Sequence, residues 1–229
     1  MALVEVDSTE FGRARARDEA PGRVQVLAVE GLCRQFGERR VVEDFDLSLS
    51  KGERVALRGR NGSGKTTILR CILGTLWPTR GRISVGGHAA GSLGARTLLG
   101  AVLPQDRAFY LRLTGRTNLL FFGKLRGLDR REAERKVNEL DAELRLGDTL
   151  SRRLDRCSTG MLQKLAIARA LIAEPPLLLL DEPTRSLDDN AVELLWAALE
   201  RRPELTVLIA THRQDDVARC DREIQLSRS

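Results

Sequence analysis

The sequence has little of several things. Its four cysteines, Cys33, Cys71, Cys157 and Cys220, lie far apart and form no CxxC pair. This argues against a disulfide framework and against a cysteine metal site. Aromatic residues make up only 4% of the chain, and no Lys/Arg block is interleaved with them. The pattern of a nucleic-acid-binding face is therefore missing. No apolar run approaches the roughly 20 residues of a membrane span. The most apolar stretch, LAIARALIAEPPLLLL, is interrupted by Arg169, Glu174 and two prolines. The first 23 residues lack the apolar stretch of a secretion signal. They read as a flexible polar leader, and the chain is expected to stay on the cytoplasmic side.

What is present suits one soluble domain. The chain has 229 residues, 42% hydrophobic and 31% charged, enough to bury a core without disulfides. The formal charge is +6, but only five of 38 basic residues are lysine. That arginine skew reads as a solvated surface, and no nucleic-acid partner is expected.

Stretches 24–32 and 41–50 alternate partly with period two and read as antiparallel strands. Residues 53–59 form a short strand running into a glycine-rich turn. KTTILRCILG (65–74) has helical spacing and stops at Gly74. GRISVGG (81–87) reads as a further edge strand. From about 108 to 173 the pattern is helical, with Asp129 and Glu132 spaced as a capping box. LLLL (177–180) is the continuous apolar run of a strand buried on both faces. A helix (189–201), the strand TVLIA (206–210), a short helix and a strand near 223–226 complete the chain. The fold class is α/β: a mainly parallel core sheet, an antiparallel β subdomain and a helical subdomain, within one domain over 24–229.

Two motifs carry phosphate chemistry. GRNGSGKT, Gly59 to Thr66, fits the P-loop pattern G-x-x-x-x-G-K-[ST] between a strand and a helix. Gly62, Gly64 and their neighbours Asn61 and Ser63 let backbone N–H groups turn toward phosphate oxygens. The helix that follows, with Thr67 in its first turn, aims its positive end at the same place. Lys65 is expected on the β- and γ-phosphates and Thr66 on Mg²⁺. Leucines 177–180 then deliver Asp181 and Glu182 at a strand's C-terminal end, where open α/β sheets bind ligands. Asp181 is the expected second Mg²⁺ group. Glu182 is placed to polarise an attacking water. A lone Asp-Glu pair is usually a solvated turn; four leucines before it and a P-loop upstream set this one apart.

The stretch CSTGMLQKLAIARAL (157–171) decides which kind of P-loop protein this is. With it, the chain resembles the nucleotide-binding subunit of an ABC transporter over residues 24–229. The resemblance implies ATP as ligand with Mg²⁺, and further roles in the family's order. Phe36, in RQFG, matches the aromatic that stacks on adenine. Gln105, in LPQD, matches a loop glutamine that meets Mg²⁺ or the lytic water. Ser158 and Gly160 match the signature, which in the family binds the ATP held by a second subunit. Asp188, in SLD, matches the D-loop acid, and His212 the switch histidine. Lys65 and Ser158 are 93 residues apart, Ser158 and Asp181 23, Glu182 and His212 30. These spacings leave no room for the coiled-coil insertion of ABC-type repair ATPases.

The signature departs from the common LSGGQ: Thr159 and Met161 take its third and fifth places. S-x-G-M followed by QKLAIARAL resembles ATPases serving drug, polysaccharide, lipid-linked glycan or haem exporters with separate membrane subunits. This implies an ATP-hydrolysing, peripheral subunit at the cytoplasmic face of the membrane, paired with a second copy of itself and with permease subunits. Phe109, Tyr110, Phe121 and Phe122 put four of nine aromatics into 14 residues of the region that meets the permease in that family. The chain ends 17 residues after His212, so a C-terminal regulatory domain is not expected. A soluble ABC ATPase acting on ribosomes or nucleic acid is the alternative, supported by the basic charge alone. An importer subunit is a third, disfavoured by S-x-G-M. A non-hydrolysing module would need a damaged site, and none is seen.

Overall fold

The computed structural model describes residues 24–104 and 109–226. Two sheets organise them. The first is antiparallel and is built on a long hairpin of β1 (Gln25–Phe36) and β2 (Arg39–Ser50). Outside β1 lies β4 (Arg80–Val85), and beyond it the two-residue β5 (His88–Ala89). The stretch read as an edge strand is thus β4, paired on both sides. The apolar residues Val42, Phe45, Leu47 and Leu49 of β2 are buried, which is why this sheet keeps one face inward.

The second sheet is parallel. Its order is β6 (Leu99–Val102), β7 (Leu177–Asp181), β8 (Thr206–Thr211), β3 (Arg54–Arg58) and β9 (Arg222–Gln225). β6 was not legible in the sequence. It is four residues long, and Gly100 in its middle breaks the apolar signal. β7 shows the logic of the run of leucines. Leu178 and Leu180 pack on one face, with Leu195, Trp196 and Leu199. Leu177 and Leu179 pack on the other, with Ile68, Leu69 and the antiparallel sheet. Each fully buried leucine contributes about 1.5–3 kcal/mol, so both faces are strongly specified.

Helix α1 (Lys65–Leu73) follows β3 and ends at Gly74, whose φ of 72° provides the left-handed stop. A short α2 (Leu93–Thr97) precedes β6. The helical layer comprises α3 (Gly115–Leu125), α4 (Arg130–Leu144), α5 (Asp148–Ser151) and α6 (Thr159–Leu171). Asp129 caps α4 by accepting the Glu132 N–H at 2.8 Å, as the capping-box spacing required. That helix buries Ala133, Val137, Leu140 and Leu144 along one stripe. Helix α7 (Asp189–Glu200) and the one-turn α8 (Gln214–Val217) flank β8. Among the described residues no helix is long and apolar enough to cross a membrane, and all four cysteines are unpaired thiols. The leader, residues 1–23, lies outside the described residues.

Candidate nucleotide site

The parallel sheet brings the chemistry to its carboxyl edge. β3, β7 and β8 end side by side in spirit of the open α/β rule, with β8 between the other two. After β3 comes the P-loop, β7 ends on Asp181 with Glu182 next, and His212 follows β8.

A cavity of about 460 Å³ opens there. Residues 61–67 of the P-loop and α1 form its floor, Asp181 and Glu182 one wall, and Phe36 the outer rim. Gly64 adopts φ 96° where the loop becomes the helix, and a Cβ there would lie 2.8 Å from the Val41 carbonyl oxygen. Only glycine serves that position. The first N–H groups of α1 have no partner within the helix, so they are donors for an anion at the cavity floor. Ser63 is buried and its hydroxyl has no hydrogen-bond partner. A polyphosphate fits this donor set.

Lys65 is 6% exposed. Its Nζ donates to the Gly59 carbonyl at 2.6 Å and to that of Arg60 at 3.3 Å. The ammonium is therefore held under the loop by the loop's own carbonyls, with a third donor left over. Thr66 and Asp181 meet directly: Oγ1 donates to Oδ2 at 2.5 Å. Burial pushes the Asp181 carboxyl above its usual range; the Thr66 hydroxyl opposes this, and nearby Glu182 adds to it. A divalent cation fits this hard-oxygen pair and would relieve the burial of the carboxylate.

Glu182 and His212 stand on adjacent strand ends. The His212 Nδ1 is 2.9 Å from Glu182 Oε1. Glu182 has a left-handed backbone, φ 49°, and its N–H donates to the Ala210 carbonyl at 2.8 Å. Glu182 lines the cavity from this turn. Phe36 is half exposed at the rim, and the Arg34 guanidinium lies 4.3 Å from its ring centroid. One face of the ring is thus covered by a cation.

Five expected residues among those described do not line this cavity: Gly59, whose carbonyl holds Lys65, His212, which reaches it only through Glu182, and Ser158, Gly160 and Asp188. Ser158 caps α6, accepting the Met161 N–H at 3.2 Å. Gly160 abuts the Ser186 carbonyl, where a Cβ would come within 2.9 Å. Gln163 Nε2 donates to the Pro183 carbonyl at 2.9 Å, so the start of α6 is tied to the turn after Glu182. Asp188, expected as a nucleotide contact, caps α7 by accepting the Ala191 N–H at 2.8 Å. Gln105 lies outside the described residues.

Arg39 and Arg185 also line the cavity, and sequence reasoning missed both. Arg39 pairs with Phe36 across the hairpin turn, which the RQFGERR spacing could have indicated. Arg185 lies in the turn after Glu182 and had no comparable signal.

Of the aromatic group, Tyr110 and Phe121 are exposed and stack edge to face at 5.0 Å. Phe109 and Phe122 are partly buried beneath them, under the Arg169 guanidinium. Buried Asn118 pins this surface by bonding both the N–H and the carbonyl of Tyr110.

The geometry agrees with what known proteins show. Residues 42–185 match the family model described as ABC transporter. The chain is 36% identical over 210 residues to the ABC transporter ATP-binding protein NatA of Bacillus subtilis, covering 88% of this chain and 85% of that protein. It is 39% identical over 196 residues to the Nod factor export ATP-binding protein I of a Bradyrhizobium strain, covering 83% of this chain and 64% of that one. The chain thus spans under two thirds of the length of that relative. Among solved structures, an ATP-binding subunit of an ABC transporter superposes with a TM-score of 0.82 at 32% identity, over 88% of this chain and 85% of its own. A dimeric ATP-binding cassette in a post-hydrolysis state with ADP and Pi gives 0.79 at 25% identity, over 88% and 94%. With the P-loop, the acidic pair and the histidine gathered at one sheet edge, this chain belongs to the ABC transporter ATP-binding family and is an ATPase.

Proposed function

We propose that the chain is the ATP-hydrolysing subunit of an ABC exporter, and that two copies close head to tail around two ATP molecules at the cytoplasmic face of a membrane. The observation that carries this is the place of Ser158 and Gly160. They open a 13-residue helix, an anion-attracting end, yet do not line the chain's own cavity. A second chain's nucleotide would give the helix start, which Ser158 caps, an anion to face. The exposed Tyr110 and Phe121 supply an apolar surface for a permease. The S-x-G-M signature and the relatives named for Nod factor export support the outward direction.

In this reading Phe36 offers its uncovered face to adenine, and residues 61–67 with Lys65 hold the phosphates. Thr66, Asp181 and Gln105 would hold Mg²⁺, which supplies charge neutralisation on the phosphates. Glu182 accepts a proton from the water whose oxygen attacks the γ-phosphorus, and the β-phosphate oxygen of ADP departs. His212 keeps that carboxylate aimed and donates to the γ-phosphate. ATP adds contacts that close the pair and hydrolysis removes them, so the nucleotide shifts a two-state equilibrium.

The test is affinity purification of the tagged chain from detergent-solubilised native membranes. A stoichiometric polytopic membrane protein supports the exporter reading. Ribosomal proteins or nucleic acid with no such partner would replace it with a soluble ATPase.

A further inference from the structure

Asp216 is a buried carboxylate that the hydrolysis scheme does not use. It lies in α8 and is 1% exposed. Its Oδ2 accepts two hydroxyls, Thr184 Oγ1 at 2.7 Å and Thr211 Oγ1 at 2.9 Å. Both threonines are fully buried. Its other oxygen, Oδ1, is buried without a hydrogen-bond partner. The hold therefore comes through one atom.

That atom joins two particular segments. Thr184 is two residues past Glu182, and Thr211 immediately precedes His212. The Thr211 oxygen also accepts the Arg213 N–H at 3.1 Å, so the residues on both sides of His212 are fixed. Glu182 needs such support, because a φ of 49° is costly for a side chain with a Cβ and persists only where its surroundings enforce it. An apolar residue in place of Asp216 would pack but would leave two buried hydroxyl donors unmatched. None of Asp216, Thr184 and Thr211 lines the nucleotide cavity.

We propose that Asp216 is a positioning residue: its Oδ2 clamps the turn after Glu182 to the end of β8 and so sets the Glu182–His212 separation. This rests on the roles assigned to Glu182 and His212 above. The clamp acts on turnover and leaves ATP affinity alone, since it supports the carboxylate and the imidazole but not the phosphate floor.

The experiment measures kcat and the ATP dissociation constant of the purified full chain for Asp216→Ala, Asp216→Asn and Thr211→Val, with Glu182→Gln as reference. Asp216→Ala is expected to lower kcat about tenfold or more, the scale of a small misplacement of a catalytic group, with ATP affinity within about twofold. Asp216→Asn keeps an acceptor oxygen and is expected to recover most of the turnover. Thr211→Val keeps shape, removes one donor and is expected to show the same split; it carries the test if Asp216→Ala does not fold. A folded Asp216→Ala or Thr211→Val with wild-type kcat, or one whose ATP affinity falls as far as its kcat, overturns the clamp. Wild-type turnover in Glu182→Gln would instead overturn the base assignment on which the clamp rests.

Discussion

Glu182 and His212 are 30 residues apart in sequence, and the Nδ1 of one lies 2.9 Å from the Oε1 of the other. The contact follows from the sheet. β7 and β8 are parallel neighbours with Asp181 opposite Ala210, so the next residues of each strand emerge together over the P-loop. A carboxylate and an imidazole in contact beside the P-loop are the arrangement that the proposed water activation requires.

Separating the members of that pair tests it. Glu182→Gln keeps the shape and removes the proton acceptor. Turnover is expected to fall about 10²–10⁴-fold, the usual contribution of a positioned general base, with ATP binding preserved. His212→Ala is expected to lower turnover in the same direction. Single-turnover hydrolysis beside equilibrium ATP binding distinguishes these from a general loss of the site.

Asp181 gives an expectation about stability without nucleotide. Its folded carboxyl titrates above the ordinary value of 3.8, mainly because it is buried. Between that value and the raised one, the folded chain holds more protons than the unfolded chain. Stability from this group is therefore present at low pH and lost as pH rises through the window. Asp181→Asn removes the buried charge and keeps an acceptor for Thr66. It is expected to raise the Tm of the nucleotide-free protein at pH 7, where the buried charge is present in the wild type. Mg²⁺-dependent hydrolysis should be lost in the same variant. Thermal unfolding with and without Mg·ATP checks both.

Much of this was legible in the sequence because the motifs are local and their residue types are dictated by chemistry. Gly64 stands out in the sequence because the P-loop pattern demands a glycine there, and the backbone at φ 96° beside Val41 accepts nothing else. Leucines 177–180 are read correctly since a strand with no polar face must be buried twice. The edge strand β6 was hidden because its neighbours, not its own pattern, specify it. The Asp188 cap and the Asp216 clamp were hidden for another reason. Both depend on which backbone or hydroxyl donors the fold brings near, and a lone aspartate carries no sign of that.

Gly64→Ala is expected to weaken ATP binding at least about tenfold. The added methyl both strains the left-handed backbone and meets the Val41 carbonyl, so the floor of the cavity must shift. Fluorescent-nucleotide titration reads the loss.

The exposed aromatics make a separate expectation. Tyr110→Ser with Phe121→Ser removes the outer layer and leaves Phe109 and Phe122 beneath. Hydrolysis by the isolated chain is expected to stay within about twofold, since surface changes away from buried features are mild. Recovery with native membranes is expected to fall sharply. Equal recovery of variant and wild type would move the permease contact elsewhere.

The most direct measurement of the proposed mechanism is the mass in solution of the Glu182→Gln chain with Mg·ATP and with Mg·ADP, by light scattering. ATP held without turnover should double the mass of one chain, and ADP should return it to one. A single-chain mass with ATP bound at saturation would contradict ATP-driven pairing and leave Ser158 and Gly160 without the role proposed for them.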